Sequence, residues 1–272
     1  MAAPTFAAAL GGATDATGAW AYTATGTFAA GQFILIQLLQ DGSTDGAVAV
    51  TGATNIENLA GTDNAWTQVP GTNADGSHPV GASGEARQFI YLGRCLSTSA
   101  PTISGSNSTA QDLYIIGRRF DNVSVGTTLA TVIENGSAGA TANSVGTSAT
   151  ATAANITTLG VDRLGIELEA INDDNGVGQF TSPGNWEVDS YASSAGTDGA
   201  VILQSRGIPT ATTVTPGTAT ITDIDAWGVV GFALIGTTAE GTTVTPSTAV
   251  LTTATFAPTV TATANVTVTP TT

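Results

Sequence analysis

Large apolar side chains in this sequence occur in short runs that end at turn-forming residues, and this spacing favours β-sheet over other structures. The clearest run, Phe33–Leu39, follows Gly31 and ends just before Asp41-Gly42-Ser43. A run of this length is too short for a buried helix and predicts a strand buried on both faces. Further strong runs lie at 87–94, 112–120, 199–203 and 227–235. Together with weaker segments they predict about eight to ten strands and no amphipathic helix.

The segment Arg163–Ile171 shows the alternation that is typical of a strand with one buried face. Leu164, Ile166, Leu168 and Ala170 share one side, whereas Glu167 and Glu169 share the other. This period of two predicts a strand whose glutamate face is in contact with water. Evenly spaced strands joined by Gly, Pro and Asn turns predict an all-β fold, an antiparallel β-sandwich of jelly-roll type.

The sequence divides into a predicted β-sandwich domain at 1–236 and a Thr-rich segment at 237–272. Within the first, residues near 134–160 are low in complexity and predict either a long exposed loop or a pair of weak edge strands. The second has one charged residue, Glu240, and alternates with period two near its end. We expect an extended C-terminal arm that adds a strand to another chain or to its own domain. A disordered tail is the alternative.

Charge excludes several classes of partner. The chain has 21 acidic residues against 6 Lys and Arg, which gives a net charge of −15. Phosphate backbones and anionic membrane surfaces are repelled by such a chain, so we expect no nucleic acid and no membrane insertion. No apolar stretch reaches the roughly 18 residues that span a bilayer, and no signal peptide is visible. We expect a soluble protein made in a cytoplasm, with Cys95 as a small buried core residue.

Reactive side chains are scarce, because the chain has no lysine and only one histidine, His78. Glu167 and Glu169 lie roughly 7 Å apart along a strand, a spacing that sugar hydrolysis accepts. A solvated strand face explains the two carboxylates better. Asp223 and Asp225 are interpreted in the same way, as loop carboxylates that precede an apolar strand. The sequence therefore predicts no catalytic residues and no enzyme.

Ligand-binding candidates come from the oxygen-rich turn at 172–176 and from the four tryptophans. The turn lacks the spacing of a calcium-binding loop, so it is interpreted as a plain β-turn, and we predict no metal and no cofactor. Trp186 and Trp227 alternate with apolar residues and are assigned to the core. Trp20 and Trp66 stand among small polar residues and are the candidates for stacking on a sugar.

Six segments follow one another along the chain: 31–38, 65–69, 87–94, 185–192, 197–203 and 227–234. Their order resembles the jelly-roll-like β-sandwich of structural proteins from tailed bacteriophages. The resemblance covers about residues 20–236 and departs from the family in the long stretch near 134–160. It implies a virion surface protein on the head or tail, with no catalytic residues to carry over.

Two hypotheses on function follow. The first is a non-enzymatic accessory protein that decorates or stabilises a phage capsid or forms part of the tail. It would be made in the host bacterial cytoplasm and would assemble with major capsid or tail proteins, most simply as a homo-oligomer. The second is a carbohydrate-binding adhesin or receptor-binding protein on the phage surface, in which Trp20 and Trp66 contact a host glycan.

Overall fold

The structure is a computed structural model that describes residues 2–15, 18–41, 48–70, 86–107, 112–151, 155–171, 180–181, 186–192 and 200–237. Within these ranges there is one short helix, α1 (Leu129–Val132). The other elements are strands: β1 (Thr5–Asp15), β2 (Gly18–Thr23), β3 (Phe33–Asp41), β4 (Val48–Thr54), β5 (Ile56–Glu57), β6 (Thr67–Gln68), β7 (Ala86–Cys95), β8 (Thr102–Asn107), β9 (Asp112–Asp121), β10 (Ile133–Asn135), β11 (Ser137–Ala138), β12 (Ala142–Ala151), β13 (Ile156–Thr157), β14 (Arg163–Ile171), β15 (Phe180–Thr181), β16 (Glu187–Ala192), β17 (Ala200–Ile208), β18 (Thr213–Val214) and β19 (Thr218–Ile235).

These strands form three main antiparallel sheets, which we call the small, middle and large sheets. The small sheet has the order β2-β8-β4. The middle sheet has the order β1-β9-β3-β7-β5, with β6 beside β7. The large sheet has the order β11-β10-β19-β14-β17-β16, with β12 and β15 also paired to β19. The predicted all-β, antiparallel sandwich class is confirmed, while the jelly-roll connectivity stays a prediction.

The middle sheet is buried on both faces, as the unbroken apolar run in β3 predicts. Ile34, Ile36 and Leu38 pack toward the small sheet, in a core that includes Trp20 and Tyr22. The alternate residues of β3 pack toward the large sheet, in a core that joins them to β14, β17 and β19. A strand whose neighbours lie above and below it has no wet face, and its sequence is therefore continuously apolar.

The outer face of the large sheet is also covered, by chain that follows β12 and β17. Ile156 and Val214 lie in the two-stranded ladder β13–β18 and pack with Ile208 and Ala233 of the large sheet. The backbone N–H of Gly217 donates to Oε1 of Gln204, at 3.1 Å. We call residues 155–158 and 212–217 the cover. The cover buries the face of β14 that the alternation in the sequence predicts to be in contact with water.

The low-complexity stretch near 134–160 contains strands rather than one long loop. Its longest strand, β12, pairs with β19 from Ala142↔Gly231 to Ala151↔Ala219. This outcome agrees with the edge-strand alternative and arises because β19 supplies a long partner edge. The described residues belong to one compact unit, Met1–Ala239. The predicted Thr-rich arm, beyond Thr237, lies outside the described residues. No helix in the described ranges is long and apolar enough to cross a membrane.

Candidate binding cleft and buried carboxyl pair

A cleft of about 490 Å³ runs between the edge strand β4 and the segment that contains Trp66. The backbone places this segment because β6 pairs with β7 and because the N–H of Asn64 donates to the carbonyl oxygen of Ile56, at 2.7 Å. The cleft is lined by Val48, Ala49, Val50, Thr51, Gly52, Ala53, Asn64, Ala65, Trp66, Gln68 and Tyr91.

Trp66 is half-buried at this cleft, as a ligand-binding role would require. Its Nε1–H donates to the carbonyl oxygen of Thr102 at 3.2 Å, and part of the indole packs on the core between the small and middle sheets. The ring is therefore held in place before any ligand arrives. Burial raises the pKa of Tyr91 well above its ordinary value, so its hydroxyl stays protonated and able to donate.

The prediction that Trp20 contacts a ligand at the surface is wrong. Trp20 is 2% exposed and packs in the core between the small and middle sheets. In β2 the buried residues are Trp20 and Tyr22, and the alternating Ala19, Ala21 and Thr23 are exposed. The small polar neighbours mark the outer face of the strand, and the tryptophan lies on the other face.

The prediction that Glu167 and Glu169 face water is also wrong, although their strand is correct. Glu167 is 0% and Glu169 is 1% exposed, because the cover closes the outer face of β14. Glu167 lies opposite Gln204 on β17 and Gly231 on β19. A Cβ at Gly231 would meet Cγ1 of Ile156 at 3.1 Å, so the cover packs directly on this row of residues.

These two carboxyl groups have few polar partners. Oε1 of Glu169 accepts a hydrogen bond from Nε2 of Gln204 at 2.5 Å. Neither oxygen of Glu167 has a hydrogen-bond partner, and Oε2 of Glu169 has none. Burial raises the pKa of Glu169 to about 7, although the Gln204 hydrogen bond opposes the shift. Burial, and then the neighbouring Glu169, raise the pKa of Glu167 well above its ordinary range.

Both carboxyl groups have raised pKa values, but the pair is buried and has no route to a polymeric substrate. The sugar hydrolysis considered from the sequence would need both groups to reach a glycosidic bond. Asp223 and Asp225 lie within β19 rather than in a loop, which corrects their assignment. His78 and the turn at 172–176 lie outside the described residues. Among the residues that are described, no group of three metal-ligating side chains occurs.

A buried polar network between the middle and large sheets was not foreseen from the sequence. Nη1 of Arg118, which is 0% exposed, donates to Oε1 of Gln37 at 2.5 Å. Nε2 of Gln37 donates to Oε1 of Gln88 at 2.6 Å and to the carbonyl oxygen of Glu169 at 2.9 Å. The one residue of the sequence that could have indicated this network is Gln37, because a polar residue inside a run buried on both faces needs an internal hydrogen-bond partner.

Comparison of the chain with family models, with curated proteins and with solved structures found no match. No likeness to another protein therefore assigns a role to any of its residues. Of the two candidate sites, the cleft lined by Trp66 is open to solvent, whereas the Glu167–Glu169 pair is buried.

Proposed function

We propose that this chain is a non-enzymatic structural protein, an accessory β-protein exposed on the virion of a tailed bacteriophage. The observation that carries the proposal is the use of polar side chains inside the layers. Arg118, Gln37 and Gln88 bond to one another and to backbone oxygens of the large sheet. A buried charge is tolerated only when it is hydrogen-bonded in this way, and such networks fix how layers are stacked.

Other ionic side chains also hold the architecture together. Nη2 of Arg94 donates to the carbonyl oxygens of Ser124 and Gly126, at 2.9 and 2.8 Å. Nε of Arg163 lies 2.7 Å from Oε1 of Glu134, in an ion pair whose side chains are 12% and 5% exposed. In this protein Arg94, Arg163 and Glu134 bond to other parts of the same chain, so these charged side chains stabilise the fold. A β-protein with few reactive side chains suits a particle surface.

The proposal includes the partners and the place of assembly. The chain would be made in the host bacterial cytoplasm and would join major capsid or tail proteins, in several symmetric copies. Its net charge of −15 is unfavourable for contact with the packaged genome and favours an outer position. Capsid decoration and a tail position are both compatible with these features.

Co-purification with particles tests this proposal. Phage that encodes the chain is banded on a density gradient, and the band is analysed by quantitative mass spectrometry. We expect the chain at a fixed ratio to the major capsid protein, while a DNA-packaging enzyme of the same phage is depleted. Recovery of the chain only from the unassembled soluble fraction would contradict the proposal.

A further inference from the structure

We infer that the Trp66 cleft binds an uncharged carbohydrate, a binding activity that goes beyond the proposed virion role. The first support is the aromatic side of the cleft. Sugar rings present C–H groups that pack on the face of an aromatic ring, and a ring that is already fixed loses little freedom on binding. Trp66 meets this condition because its N–H is bound to Thr102 and part of its indole is packed on the core.

The second support is the polar side of the cleft. The lining includes Asn64 and Gln68, which carry amide groups, and Thr51 and Tyr91, which carry hydroxyl groups. Amides and hydroxyls both donate and accept hydrogen bonds, as do the hydroxyl groups of a sugar. An aromatic surface beside a few convergent polar groups is the usual composition of a small-molecule site.

The third support is the charge of the lining, which defines the class of carbohydrate. Among the described residues that line the cleft, none is Asp, Glu, Lys or Arg. A carboxylate-bearing sugar would find no cation there and would approach a chain of net charge −15. An uncharged sugar needs no cation in the cleft and is not repelled by the negative chain. Neutral glycans are therefore favoured over sialylated or uronic-acid glycans.

An extended peptide is the competing ligand, because β4 is an edge strand of the small sheet. Strand addition needs a regular row of free backbone groups. The pairing of β4 with β8 is irregular between Val50 and Gly52, which leaves Thr51 as an extra residue. A bulge of this kind twists an edge and blocks continued pairing, and natural proteins use it to protect edges. The geometry therefore favours the carbohydrate.

The test is a binding screen of the full chain on arrays of neutral and acidic glycans, followed by titration of the best neutral oligosaccharide. Trp66→Ala should weaken its binding by about tenfold or more, and Trp66→Phe by less, since the smaller ring still stacks. Thermal unfolding of both variants separates loss of binding from loss of fold. No binding to any glycan, or binding to acidic glycans alone, would overturn the inference.

A second pair of variants avoids the core altogether. Ala49 and Ala19 are both exposed and pair with Ser106 from the two edge strands of the small sheet. Ala49→Arg adds a bulky side chain at a residue that lines the cleft, whereas Ala19→Arg adds the same side chain on the far edge strand, at a residue that does not line it. The inference requires weaker binding in the first and unchanged binding in the second. Equal affinity in both, or capture of a Thr/Val-rich strand peptide in place of sugars, would refute it.

Discussion

The buried Glu167–Glu169 pair gives the chain a pH-dependent stability that substitution of Glu169 should reduce. In the unfolded chain a glutamate titrates near 4.5, while the pKa of Glu169 in the folded protein is about 7. The folded state therefore binds the proton more tightly than the unfolded state. The contribution of protonated Glu169 to the free energy of unfolding is complete below pH 4.5 and is lost as the pH rises through 7. Glu167 acts in the same direction, because its pKa is also raised.

The size of the effect follows from the same values. Each pH unit between the two pKa values lowers the free energy of unfolding by about 1.4 kcal/mol per group. For Glu169 the loss is about 2 kcal/mol between pH 5.5 and 7, and about 3 kcal/mol over the whole interval.

The assay is urea unfolding followed by tryptophan fluorescence from pH 4.5 to 8.5. Glu169→Gln keeps the shape of the side chain and leaves an oxygen to accept from Gln204. We expect this variant to equal the parent at pH 4.5 and to exceed it by about 3 kcal/mol at pH 8. Asp121→Asn, at a carboxylate whose side chain is 48% exposed, is the control and should leave the pH dependence of the parent intact. Parallel curves for the parent and Glu169→Gln would refute the reasoning.

Three further predictions concern packing. Gly105→Ala should lower the free energy of unfolding by more than about 2 kcal/mol, because the added Cβ would collide with a backbone oxygen of β4. Gly207→Ala is the control: its Cβ would enter open space, and the free energy of unfolding in the same urea assay should change by less than about 0.5 kcal/mol. Gln37→Ala removes an acceptor of the buried Arg118 and should cost about 2–4 kcal/mol, and a cost below 0.5 kcal/mol would argue against the network. Cys95 is buried, and burial raises its pKa to about 11. At pH 8 it should therefore react with a thiol reagent at least about a hundredfold faster in urea than in the native protein. Equal rates would show that the thiol is accessible in the folded state.

Strand positions could be predicted from the sequence, but the number of layers could not. The run Phe33–Leu39 indicates burial on both faces, and the structure confirms it. In Arg163–Ile171 the period of two identifies the strand but not what covers its second face. The cover that buries Glu167 and Glu169 comes from residues roughly 10 to 50 positions away in sequence, and its packing depends on tertiary contacts that local periodicity does not carry.

The tryptophans illustrate the same limit at the candidate site. Both Trp20 and Trp66 have small polar neighbours, yet Trp20 lies in the core and Trp66 lines a cleft. Alternation within β2 contains the signal for Trp20, because Tyr22 shares its face and the residues between are small. Trp66 precedes a strand of only two residues, too short for any periodicity. Its position depends on pairing with β7, which only the assembled sheet reveals.

Cryo-electron microscopy of purified particles of the encoding phage tests the central claim most directly. The account predicts that three stacked antiparallel sheets recur at symmetry-related positions on the outside of the head or tail, with the Trp66 cleft open to solvent. Reconstructions of head and tail in which other proteins account for all of the outer density would contradict it.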